Sequence, residues 1–168
     1  MPAFMPRVGF GFDNHRLVPG RRFLIGGVEI PSPVGEQAHS DGDVLLHALC
    51  DALYGAVGRG DIGEHFPDTD GRWKDRPSTE FVEHALRTVS EAGYRLVNVD
   101  ATVVLEKIKL SPHKRRIADN IRSLIRPYWT LPEDAVSIKA KTAERCDAVG
   151  RGDAVEALVA VLLEEARK

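Results

Sequence analysis

The stretch His39-Ser40-Asp41-Gly42-Asp43-Val44-Leu45-Leu46-His47 decides how this chain is read. Two histidines and two carboxylates fall within nine residues, where a loop rich in Gly and Pro passes into an apolar segment. Val44, Leu45, Ala48, Leu49, Ala52, Leu53, Ala56 and Val57 recur at helical spacing, which predicts a helix from about Asp41 to Gly58. Asp43 and His47 are four apart and share one face of that helix. An acidic residue in the first turn suits the helix dipole, and Gly58-Arg59-Gly60 stops the helix.

Upstream, residues 7–18 read as a strand, so Asp13 and His15, two apart, point to the same side. Pro19-Gly20 marks a turn, residues 22–30 a second short strand, and Pro31 and Pro33 open a loop over 31–41. Asp13, His15 and His47 form a candidate zinc set. Imidazole nitrogen and carboxylate oxygen suit tetrahedral zinc, and three protein ligands leave the fourth position for substrate. Asp43 and His39 stand as alternative ligands, or as groups that orient one. The competing reading makes His47 a core histidine and Asp43 a dipole partner. Against it, four ionisable groups at the mouth of an apolar helix are expensive to bury unpaired.

Downstream, residues 60–77 form a long loop of the kind that is usually functional. Ser78 reads as the N-cap of a helix to about Ala92. Residues 97–106 are the clearest strand, apolar at odd positions with Asn98, Asp100 and Thr102 opposite. Ser111 as N-cap and Pro112 behind it open a helix that ends before Pro127. Ala135 to Thr142 reads as a strand, and Asp153 to about Ala166 as a last helix with an Ala/Val/Leu face. The order β-β-α-α-β-α-β-α predicts an α+β single domain over 1–168, with a mixed four-stranded β-sheet and helices packed on one face.

With 168 residues, 43% apolar and 29% charged, the chain is long enough to bury a core without staples. A net charge of -2 argues neither for nor against an anionic partner. Cys50 and Cys146 lack the spacing of a zinc ribbon or a disulfide framework. Met1 to Arg7 has no apolar run suited to a leader peptide, and no stretch approaches the ~18 apolar residues of a membrane helix. The expectation is a cytoplasmic protein without a membrane partner. Lys107, Lys109, Lys114, Arg115 and Arg116 cluster without interleaved aromatics, so no nucleic-acid partner is expected. Gly9-Phe10-Gly11 is not a dinucleotide fingerprint, because position 14 is Asn and no helix follows. Lys139, Lys141 and Arg151 flank Thr142 and Glu144, where cations and a hydroxyl can clasp a phosphate; surface charge at a strand end is the bland alternative.

Several of these motifs in register resemble the 2-C-methyl-D-erythritol 2,4-cyclodiphosphate synthase family of the non-mevalonate isoprenoid pathway. They are Gly9 to His15, Ile25 to Pro31, Ala38 to Val44 with His47, and Gly60 to Gly63. Phe66 to Asp70, Asn98 to Asp100, Pro112-His113, Lys139 to Glu144 and Gly150 to Gly152 continue them in the same order. The resemblance covers nearly the whole chain and lacks the cytidylyltransferase domain of bifunctional relatives.

The resemblance implies a lyase reaction. The 2-phosphate of 4-diphosphocytidyl-2-C-methyl-D-erythritol 2-phosphate attacks the β-phosphorus of its own diphosphate, CMP leaves, and a cyclic diphosphate forms. A zinc-dependent phosphohydrolase is the alternative. By resemblance, Asp13, His15 and His47 hold one Zn2+ per subunit, and Asp13 and His15 also touch substrate. His39 and Thr142 stabilise the transition state. Ser40, Asp61, Ile62, Gly63, Phe66, Pro67, Asp68, Thr69 and Asp70 contact the erythritol and phosphates. Leu105, Lys109, Leu110 and Ser111 form the cytosine pocket. Lys141, Ala143, Glu144 and Arg151 complete the diphosphate side, with Glu144 near a Mg2+ or Mn2+ that accompanies the substrate. The family is a homotrimer with sheets facing the axis and active sites between subunits. This sequence departs from the family pattern at Ile108, Ala148 and Asp153, and it has no clear equivalent of a later acidic residue in the trimer cavity.

Overall fold

A computed structural model describes residues 5–166, so the leader-peptide reading of residues 1–7 lies partly outside the described residues. One sheet runs in the order β4-β1-β7-β5-β6. Its strands are β1 (Arg7–Pro19), β4 (Val34–Gln37), β5 (Tyr94–Val104), β6 (Val136–Lys141) and β7 (Ala154–Glu165). β5 and β6 are parallel and the other neighbours antiparallel, so the sheet is mixed. A small hairpin, β2 (Leu24–Ile25) with β3 (Val28–Glu29), stands outside it. Helices α1 (Val44–Ala56), α3 (Ser78–Glu91) and α4 (Lys114–Ile125) pack on one face. Two short helices, α2 (Ile62–His65) and α5 (Asp147–Arg151), lie in the connections.

The sheet has five strands where four are expected: β4 and β7 join it, and the strand expected over 22–30 stands outside it. Residues 153–166 are expected to be helical, on the strength of an Ala/Val/Leu face. They instead form the central strand, with Val155, Ala157, Val159, Val161 and Leu163 buried in strict alternation. The intervening residues Leu158, Ala160 and Leu162 are themselves apolar, which hides the two-residue period. Pairing on both edges, with β1 and β5, settles the matter against local helix propensity.

Smaller corrections have equally local causes. The strand expected over 22–30 is the β2–β3 hairpin, turned by Gly26 and Gly27 at φ +61° and +74°. The loop expected over 31–41 contains β4, which covers the edge of β1. Val97 is a bulge in β5: Leu96 is buried, and the odd-numbered run of buried residues begins only at Val99. Ser111 to His113 form a 3-10 turn capped by Leu110, rather than a helix capped by Ser111. Pro77, not Ser78, is the N-cap of α3, and Ser78 spends its hydroxyl elsewhere. No helix among the described residues is long and apolar enough to cross a membrane.

Candidate metal centre and cavity

Helix α1 lies directly on β1, at the one place where β1 offers backbone without side chains, Gly9 and Gly11. That seat brings His47 over the next residues of the strand. Asp13 Oδ2 is 3.0 Å from His15 Nε2 and 3.0 Å from His47 Nδ1. The two imidazoles meet edge to face with centroids 5.0 Å apart. One ligand atom from each of the three residues lies within 4.8 Å of the others.

The far nitrogens of both rings are held by the protein. His15 Nδ1 is 2.9 Å from the carbonyl oxygen of Gly42, which can only accept, so the proton is on Nδ1 and Nε2 faces Asp13. His47 Nε2 is 2.9 Å from the hydroxyls of both Ser40 and Ser78. Burial alone would raise the Asp13 carboxyl, but its hydrogen bonds and charge contacts with His15 and His47 hold it well below the usual carboxylate range. Burial alone would lower His15; Asp13 and Glu36 overcome it and push the imidazole up to about 10. A carboxylate oxygen and two imidazole nitrogens around a shared point, with the outer nitrogens already hydrogen-bonded, is a donor set that fits a divalent cation such as zinc.

Asp43 takes no part in this set. It is fully buried and caps α1, accepting from Leu46 N at 3.0 Å, and it also accepts from Gly26 N at 2.9 Å and Gly27 N at 2.5 Å. Burial pushes its carboxyl up to about 6 against those three bonds.

The triad opens on a cavity of about 560 Å³. His39 and Ser40 line it beside Asp13, His15 and His47, and Ile62, Gly63, Phe66, Pro67 and Asp68 line it from the α2 connection. Asp61, Thr69 and Asp70 lie beside it: Asp61 caps α2 through Glu64 N, and Asp70 is paired with Arg72. The remaining expected residues sit apart from it. Leu105 and Leu110 are buried in the core, and Lys109 and Ser111 follow β5. Lys141, Thr142, Ala143 and Glu144 follow β6, where the Thr142 hydroxyl donates to Glu144. Arg151 pairs with Asp153 in a second groove, which His15 also lines. β6 is three strands from β1, about 14 Å at the usual strand spacing. One chain therefore brings together half of the expected site.

Residues 6–164 match the model of the YgbB family. The chain belongs to the YgbB family. The 2-C-methyl-D-erythritol 2,4-cyclodiphosphate synthase of Salinibacter ruber is 49% identical over 95% of this chain and 99% of its own length. The chloroplastic enzyme of that name from Catharanthus roseus is 49% identical over 94% of this chain, which spans 65% of it. A 2C-methyl-D-erythritol-2,4-cyclodiphosphate synthase solved with CDP bound is 43% identical, with a TM-score of 0.84 over 94% of this chain and 99% of that one. The bifunctional IspDF of Campylobacter jejuni matches at 39% identity and a TM-score of 0.91, over 98% of this chain and 43% of that one.

In this YgbB chain four contributors escape the linear reading. Glu36, fully buried, backs His15 at 3.5 Å and accepts from Val44 N; burial pushes it up to about 8. Ser78 reaches His47 from 31 positions away. Trp73 and Phe81 line the cavity and pack with Phe66. No spacing rule links any of them to the triad. Only the buried carboxylate in the β4 segment, or the serine read as a cap, offered a signal.

Proposed function

We propose that this chain is a 2-C-methyl-D-erythritol 2,4-cyclodiphosphate synthase of isoprenoid precursor biosynthesis, acting as one domain over 1–168. The observation that carries the reading is the Asp13–His15–His47 triangle at the mouth of the 560 Å³ cavity, in a chain 49% identical to a synthase of that name across 99% of its length. The substrate is 4-diphosphocytidyl-2-C-methyl-D-erythritol 2-phosphate. An oxygen of its 2-phosphate bonds to the β-phosphorus, the bond from the β-phosphorus to the bridging oxygen breaks, and CMP leaves with that oxygen.

Nucleophile and electrophile belong to one molecule, so the protein's task is to fold it into line and meet the spreading charge. Asp13, His15 and His47 would hold Zn2+, which supplies a Lewis acid for phosphoryl oxygen. His39, beside the triad, donates to the transferred phosphoryl group, and Thr142 does so from the opposite side. Ser40, Ile62, Gly63 and the segment Phe66–Asp70 orient the erythritol and its phosphate. Leu105 to Ser111 take the cytosine; that a relative was solved with CDP bound supports a cytidine nucleotide as ligand. Glu144, with Lys141, Ala143 and Arg151, serves the diphosphate and its Mg2+ or Mn2+.

Assembly completes the site. Val8, Phe10 and Phe12 are 73%, 62% and 45% exposed on the face of β1 away from the helices, beside Leu158, Ala160 and Leu162. Soluble monomers rarely leave such a patch open. A homotrimer with the sheets facing the axis would cover it, and would set the Thr142 end of one copy against the Asp13 end of the next. Two free thiols, Cys50 and Cys146, suit a cytoplasmic location.

Incubating the protein with the substrate and following 31P resonances tests the reading. Equimolar CMP and cyclic diphosphate are expected. CMP with the open-chain bisphosphate would make it a hydrolase.

A further inference from the structure

Ser78 is fully buried at the first position of α3, yet its hydroxyl makes no capping bond to that helix. The hydroxyl donates to Asp41 Oδ1, and its oxygen lies 2.9 Å from His47 Nε2. Asp41 also accepts from the Ser78 backbone N–H at 3.1 Å, while the Asp41 N–H donates to the carbonyl of Arg76 at 3.1 Å. The carboxylate and the start of α3 are thereby locked together, 37 positions apart in the chain.

The proton directions follow from the chemistry of the groups. An ionised carboxylate only accepts, so the Ser78 proton goes to Asp41. The Ser78 oxygen then has only lone pairs to offer His47, and it takes the N–H of Nε2. The lone pair of His47 is left on Nδ1, the atom that faces Asp13 and His15. The other hydroxyl near Nε2, that of Ser40, lies at the same 2.9 Å, also accepts from Gly42 N at 3.2 Å, and lines the cavity, where substrate competes for it. Ser78 does not line the cavity and has no such competitor.

We propose that Asp41 and Ser78 are positioning residues that act as a carboxylate–hydroxyl–imidazole relay, fixing the tautomer and the ring orientation of His47 as a metal ligand. The proposal rests on the reading of Asp13, His15 and His47 as a zinc site. A hydrogen-bonded carboxylate behind a ligating imidazole raises its basicity and pins its orientation, and losing such support costs about 10- to 100-fold in metal affinity. Here a serine is interposed, so the effect of Asp41 must pass through Ser78.

Zinc affinity is measured by competition with a chromophoric chelator for the wild-type chain, Ser78→Ala, Asp41→Asn and the double variant, with Ser78→Thr as the conservative rescue. The Co2+-loaded proteins give a visible ligand-field spectrum. Ser78→Ala is expected to lose about 10- to 100-fold in zinc affinity and to displace the cobalt band. Asp41→Asn should do likewise. The double variant should be no weaker than Ser78→Ala, and Ser78→Thr should restore most of the loss and the band position. A serine that merely filled space at the helix start would alter the melting temperature and leave the cobalt band in place. Unchanged zinc affinity in Ser78→Ala, or fully additive losses in the double variant, overturns the relay. Failure of the wild-type chain to bind stoichiometric zinc would instead overturn the metal-site reading beneath it.

Discussion

A Cβ on Gly11 would sit 1.8 Å from the carbonyl oxygen of Ala48. The contact is with helix backbone, which cannot turn aside as a side chain would. Gly9 stands in the same relation to Ala52, one turn along α1. The paired glycines are therefore a seat for the helix, and the seat sets how far His47 stands from Asp13 and His15.

Gly11→Ala should lift α1 from β1. Overpacking of this kind costs about 1–3 kcal/mol, and more where backbone must move. We expect a lower melting temperature together with weakened zinc binding, measured by calorimetry and chelator competition on the same preparation. A variant that binds zinc as tightly as the wild type would show that the seat does not set the triad.

His47→Ala should abolish stoichiometric zinc binding while leaving the fold intact, because the ring lies at the edge of the cavity and α1 keeps its apolar face. Metal analysis of the purified variant, with circular dichroism as the control, checks this. Zinc retained at one per chain would remove His47 from the ligand set.

The legible parts of the molecule were those carried by local chemistry. The α1 pattern, the strand bearing Asp13 and His15, and the Asp43 turn can each be read within a few residues. β7 was not legible, because Leu158, Ala160 and Leu162 give its outward face the same apolar character as its buried one, and a strand apolar on both faces has no visible period. The role of Ser78 is hidden for a related reason. A serine before an amphipathic helix is ordinarily its cap, and here the capping acceptor for its N–H is Asp41 from another segment. The polar side of β5 was visible in the sequence, but its setting was not: Lys139 Nζ reaches Asp100 at 2.7 Å across the β5–β6 pair.

Thr142→Ala should slow turnover by about 100-fold, the usual loss for one donor to a developing phosphoryl or oxyanion charge, with CDP affinity nearly unchanged. Steady-state rates and a CDP titration separate the two. Thr142 already donates to Glu144 in the free chain, so its hydroxyl must redirect when substrate arrives. Unchanged turnover would take Thr142 off the catalytic path.

His84 gives a pH dependence that does not involve the metal ligands. The Tyr54 hydroxyl is 2.8 Å from His84 Nδ1, while His65 stacks on the Tyr54 ring at 4.0 Å. Burial lowers the His84 pKa below the ordinary histidine value; the charges of His65 and Arg87 add to this, and Glu91 opposes it. The unfolded chain therefore takes up a proton first as pH falls. The His84 contribution to stability is present above the unfolded value near 6.5 and is lost on acidification through the folded value. Denaturant midpoints from pH 7.5 to 5 should fall more steeply for the wild type than for His84→Gln. Parallel curves would mean that His84 titrates alike in both states.

Phe10 tests the assembly against the metal site in one experiment. Its side chain is 62% exposed on the outer face of β1, whereas Asp13, three residues on, contributes to the triad within the same chain. Phe10→Asp should place a charge in the apolar patch that the proposed trimer would cover, and desolvating an unpaired carboxylate there costs several kcal/mol. Sedimentation should report monomers. Zinc should remain bound, because all three ligands come from one copy. If the site is shared as proposed, turnover should drop by at least the factor expected for Thr142→Ala, for want of the Thr142 end of a neighbouring copy. A Phe10→Asp protein that is monomeric and fully active would refute a shared site. One that remains trimeric would show that the sheet face is not the interface.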